Sequence, residues 1–241
     1  MSALGHYLEE EGIATVAISL IRPQAEKTKP PRALWVPFEL GRPCGPPGDP
    51  AFQQRVILAA LSLLERASGP VVIADFPEDD PRAQPDPAWR PPSLPAVAAG
   101  STERLAAGLE EEIPLLRDAH ERWRAHHGRT TVGLSGLSPD ACGLYVSDWL
   151  RGRTPPSPRE GLSAPLLLRF AADDVKAYCL EAASAGAARP SSRQLGDWLW
   201  NETATGAALH ALRAALQASE DERLRLIAGN FLVPAVRARA G

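Results

Sequence analysis

The thirteen residues Phe38-Glu39-Leu40-Gly41-Arg42-Pro43-Cys44-Gly45-Pro46-Pro47-Gly48-Asp49-Pro50 gather the side chains best suited to chemistry in this sequence. Four prolines and three glycines bar both helix and ladder-paired strand here, because proline lacks an N–H and glycine costs backbone entropy. The stretch is therefore a stiff loop, and loops on a rigid α/β scaffold are where ligand contacts concentrate. Cys44, flanked by Gly45 at the carboxyl side of a strand, suits a resolving or redox thiol. The plainer reading of the same placement is a passive loop cysteine. Glu39 and Arg42 are substrate-facing charges or solvated loop residues, with Gly41 and Gly45 between and beside them. Asp49, directly before Pro50, reads as a helix cap rather than a catalyst.

Other chemistry-bearing residues are scattered. His120 and His127 lie seven apart on one helical face and His210 on another helix, an arrangement by which bundles build metal sites. They lack a tight motif such as HExxH, so no metal is assigned. Trp198 and Trp200 with Glu202 resemble an aromatic-lined site, yet an apolar stripe at helical spacing is ordinarily core. Cys142 and Cys179 fall inside apolar helices, where thiols are inert by default. There is no P-loop, no GxGxxG after a strand and no GxSxG, and no cofactor is assigned.

The elements that position these residues follow from periodicity. Leu4, Tyr7 and Leu8, followed by three glutamates and Gly12, read as a helix with a glycine C-cap. Ile13–Ile21 is a near-continuous apolar run, the pattern of a parallel strand covered on both faces. Ala33–Phe38 is a second short strand, Phe52–Leu64 an amphipathic helix ending between Arg66 and Gly69, and Pro70–Phe76 a third strand. Pro77–Gly100, with seven prolines, reads as an exposed linker between two lobes in close contact. From Ser101 the period is helical. Leu105, Leu109, Ile113, Leu116, Ala119 and Trp123 share a face, Pro114 kinks or divides the helix, and Gly128 ends it. Thr130–Leu134 reads as a strand and Pro139–Leu150 as a helix. Leu162–Phe170 is strongly apolar and leads into a helix reaching Ala183. Ser191 with Gln194 is a capping box opening one long helix through Leu216, and Ser219 with Glu222 is a second. The expected fold is α/β: a small parallel, Rossmann-like sheet lobe over 1–76, the linker 77–100, and a mainly α-helical lobe over 101–241.

Bulk properties bound the function. A chain of 241 residues with 44% hydrophobic content buries a core, and a net charge of −3 gives no electrostatic footprint for nucleic acid or an anionic membrane. No apolar run is long enough to span a bilayer, and the N-terminus lacks the marks of a signal peptide. Three widely spaced cysteines argue against a disulfide framework and point to a reducing cytoplasm.

Taken together, the run Tyr7–Ile18, the strand Trp35–Phe38, the loop Leu40–Pro47 and the helix Phe52–Leu64 resemble glycine, sarcosine, betaine and D-proline reductase subunits of the selenoprotein B type. The likeness covers about residues 4–66. It implies an oxidoreductase acting on a small polar substrate, with a thioredoxin-like protein as electron donor. In that family the reacting selenocysteine or cysteine lies at the end of a strand just upstream of the helix that here is Leu4–Glu11, and here that segment would end at residue 1. The resemblance therefore implies a nucleophile upstream of this chain. The competing class is a non-catalytic reductase-like domain fused to a helical binding or dimerisation module. A sheet without its first strand leaves an open edge, so a homo-oligomer, or coverage by the helical lobe, is expected.

Overall fold

A computed structural model describes residues 2–66, 71–97 and 100–238, which divide into two compact units, Met1–Gln84 and Pro85–Gly241. Gly69 and Pro70, expected at a helix end and a strand start, lie outside the described residues.

The first unit carries the α/β pattern. Helix α1 (Ser2–Glu10) precedes β1 (Ala17–Ser19), α2 (Arg22–Thr28), β2 (Arg32–Trp35), α3 (Pro50–Ser62) and β3 (Val72–Asp75). The strands form one parallel sheet in the order β1-β2-β3, with Ala17 beside Ala33 and Ala33 beside Ile73. A helix follows each of the first two strands because a parallel neighbour is reached only by a crossover. Phe38, Phe52, Val56, Leu63 and Phe76 form the core beneath the sheet, with Leu34 of the middle strand and Val36 just past its end.

The first strand is much shorter than its apolar run. Ile13 and Ile21 are 54% and 48% exposed. Before Ala17 the backbone leaves the ladder: Thr15 donates its N–H and hydroxyl to the Glu9 carboxylate, at 2.7 and 3.0 Å. Among the described residues β1 is paired on its β2 side alone, so its run is not covered as a central strand's is. Those Thr15 bonds, and the guanidinium of Arg32 after them, hold the Glu9 carboxyl below the usual range.

The second unit is helical: α4 (Thr102–Leu115), α5 (Arg117–His127), α6 (Pro139–Leu150), α7 (Ala164–Ala183), α8 (Ser192–Glu202), α9 (Ala204–Gln217) and α10 (Glu222–Ile227), with a π-helical turn over Ala228–Leu232. Leu109, Ile113, Leu167, Leu168, Leu209 and Leu212 are its fully buried centre. Pro114 divides rather than kinks: α4 closes at Leu115 and α5 opens after the buried Leu116.

Three expectations change here. Thr130–Leu134 is irregular, because its donors go to carboxylates of α7 instead of a ladder. Glu181 accepts from Thr131 N–H and both threonine hydroxyls, and Asp174 from the N–H groups of Gly133, Leu134 and Ser135. The single long helix from Ser191 is two. Thr203 leaves helical geometry and caps α9 through Gly206 N–H, while the buried Glu112 carboxylate takes Ala204 and Thr205 N–H. A Cβ at Gly206 would stand 2.0 Å from Leu199 O, so only glycine permits this corner. The last helix is capped by Asp221, not Ser219.

The proline-rich tract is also divided. Residues through Gln84 belong with the sheet, and from Pro85 the chain lies on the helical unit. There the Trp89 indole donates to Ala183 O at 3.1 Å, and Asp86 exchanges backbone bonds with the Gln194 side chain. Residues 98 and 99 of the tract lie outside the described residues.

Candidate functional site

The carboxyl ends of the three parallel strands meet at one edge of the first unit, and the segments leaving them make the candidate site. Val36 N–H donates to Ser19 O and Phe76 N–H to Trp35 O, carrying the pairing one step past each strand. From there β1 leads to Arg22, β2 to the loop of residues 38–50, and β3 to Asp75 and the turn at Asp80. Arg22 Nε, at the start of α2, reaches Asp75 Oδ1, at the end of β3, at 3.1 Å, so an ion pair joins the segment after one outer strand to the end of the other.

The loop is pinned at four places. Asp49 caps α3 by accepting Phe52 N–H at 3.0 Å. Gly45 has φ 85°, and a Cβ there would lie 2.4 Å from the Phe52 ring, so both the conformation and the close approach require glycine. The Gln53 side chain donates to Pro46 O at 2.9 Å and Arg82 to Pro47 O at 2.7 Å. Beneath it, the rings of Phe38, Phe52 and Phe76 pack with centroids 5.5–6.0 Å apart in tilted and edge-on arrangements.

On this frame the six residues singled out in the sequence share one loop but do different things. Gly45 and Asp49 hold its shape. Gly41 is exposed, with φ 91° and open space where a side chain would be. The Arg42 guanidinium is exposed and stands 3.8 Å from the carboxylates of both Glu39 and Asp80. Cys44 is half-buried, whereas Cys142 and Cys179 are fully buried. Burial pushes the Cys142 thiol up to about 11 and the Cys179 thiol further still, leaving both protonated and inert at neutral pH.

Asp80 was not singled out in the sequence. It is only 3% exposed, accepts Arg82 N–H as the cap of a short 3₁₀ turn, and faces Arg42. The Asp80-Pro81 dipeptide is a cap-plus-proline signal of the same kind as Asp49-Pro50, and it would have found this residue.

The histidines do not converge. His120 is buried with Nε2 2.8 Å from Glu181 and its ring against Tyr178, His127 is exposed with Nδ1 donating to Trp123 O, and His210 rests on Trp200. Among the described residues no group of three or more His, Cys, Asp or Glu is placed to hold a metal ion. Nor is any described helix long and apolar enough to cross a membrane. Trp198 and Trp200 are core residues. No family model, curated protein or solved structure matches this sequence.

Proposed function

We propose that the first unit is a Rossmann-like module of the glycine/D-proline reductase type, which holds a small polar substrate at the carboxyl edge of its sheet. The observation that carries the reading is the pinned 38–50 loop. It sets the half-buried thiol of Cys44 and the exposed guanidinium of Arg42 close together in the chain at the edge where parallel sheets bind ligands. Arg42 would receive the substrate's carboxylate by exchanging its long contacts with Glu39 and Asp80 for a direct one. Cys44 serves as the supporting thiol to a thiol or selenol nucleophile brought by another segment, with a thioredoxin-like protein as electron donor. This assignment rests on the likeness of residues 4–66 to that family together with the accessible thiol.

The test is per-cysteine labelling of the intact chain with iodoacetamide, read by mass spectrometry, alone and with millimolar glycine, sarcosine, betaine or D-proline. Cys44 labels ahead of Cys142 and Cys179, at least one of these compounds slows it, and Arg42→Gln removes that protection. Equal labelling of the three thiols, or no protection by any of the four, refutes the reading.

A further inference from the structure

The π-helical turn Ala228–Leu232 takes no part in the candidate site, and π turns are uncommon and recur at functional sites. It brings the Phe231 ring beneath Arg169 of α7, whose guanidinium carbon stands 3.7 Å from the ring centroid. Lys176 fixes the arrangement, donating to Phe231 O at 2.7 Å while pairing with Asp173 at 2.8 Å. Asp173 meets Lys176 through Oδ1, and its Oδ2 stays 3.9 Å from Arg169 Nε, an ion pair too long to be a hydrogen bond. Among the described residues Arg169 Nε has no acceptor. A buried donor left unmet calls for an explanation.

Arg169 also lines a cavity of about 310 Å³, within the size range of small-ligand sites. Leu166, Leu226, Ile227 and Phe231 give it apolar walls, and Leu226 is 55% exposed, large for an apolar side chain. Glu222 and Arg223 add opposite charges that cancel, so Arg169 sets the sign of the site. An open apolar groove beside one partly exposed arginine suits an amphipathic anion, because the apolar body is drawn out of water and the carboxylate meets a guanidinium that Asp173 holds only at ion-pair distance.

We propose that this cavity binds a small carboxylate with an apolar body, such as a medium-chain alkanoate or an aryl carboxylate, through Arg169 on its Phe231 platform. Calorimetric titration of the intact chain with octanoate, phenylacetate, acetate and octanol tests it without any variant. Octanoate or phenylacetate binds at least about tenfold more tightly than acetate or octanol, the scale of one charge-assisted hydrogen bond. Whichever of the two binds better identifies the body as alkyl or aryl. In Arg169→Gln, checked for an unchanged melting curve, affinity for the preferred carboxylate falls about tenfold and octanol is unaffected. Absence of carboxylate binding at millimolar concentration, or equal binding of octanoate and octanol, overturns the proposal. So does a folded Arg169→Gln chain that binds the carboxylate as the parent does.

Discussion

Replacing Glu181 by alanine strips the 130–131 segment of its anchor, and the structure sets the size of the effect. The side chain is 6% exposed and accepts from Thr130 Oγ1 at 2.6 Å, Thr131 N and Oγ1 at 2.7 Å, and His120 Nε2 at 2.8 Å. Each buried donor left unmet costs roughly 1–3 kcal/mol, and because the four share one acceptor they do not add, so about 3–5 kcal/mol is expected in total. For a chain of this length that lowers the thermal midpoint by about 10 °C at pH 7. The pH dependence supplies a second check. Burial raises the Glu181 carboxyl, but the hydrogen bonds from Thr130, Thr131 and His120 outweigh it and hold the group below the usual glutamate range. A depressed acid contributes its stability in full above the unfolded value near about 4.3 and loses it as pH falls through the folded value. The gap between parent and Glu181→Ala, followed by circular dichroism melts, is therefore widest at neutral pH and narrows below about pH 4. A gap under about 1 kcal/mol, or one that stays constant down to pH 3, would show that the carboxylate does not hold this segment.

Two further outcomes are expected. Gly45→Ala drives a Cβ into the Phe52 ring and forces a side chain to φ 85°; it should destabilise the first unit by about 2–3 kcal/mol in urea unfolding and disturb Cys44 labelling, and a neutral effect would mean the loop is not pinned there. Glu112 has its carboxyl raised by burial against the hydrogen bonds it accepts, so folding favours its protonated form and its contribution worsens as pH climbs from the unfolded value through the folded one. Glu112→Gln should accordingly compare better with the parent at pH 8 than at pH 4 in melting experiments, and the opposite trend would overturn that reading.

Local signals were legible where one residue type has one physical job. Asp49-Pro50 caps α3, Ser191 with Gln194 forms a full capping box, and Gly128 closes α5 in the left-handed conformation. Each is a short-range hydrogen-bond pattern readable from spacing. The extent of β1 was not legible, because strand length depends on having neighbours, and β1 has one. Nor was the state of residues 130–134, whose β-branched start suits a strand until two carboxylates some forty to fifty residues onward take its donors. The corner at Thr203 was hidden for the same reason: Glu112, on α4, accepts the N–H groups that open α9. The loop residues Glu39 to Asp49 could be picked out by composition, while Asp80 drew attention only once folding set it against Arg42.

The pairing of Asp174 and Glu181 with the segment before α6 makes α7 a ruler. Seven residues of α-helix advance about 10 Å with both carboxylates near one face, and the three steps of chain from Thr131 to Leu134 span about the same distance when extended. Two molecular lengths have been matched, so the tolerance for insertion is set by geometry rather than by exposure. One residue added to α7 between these acids would swing one of them by about 100°, while the same addition at the exposed Gly152 turn would leave the match intact.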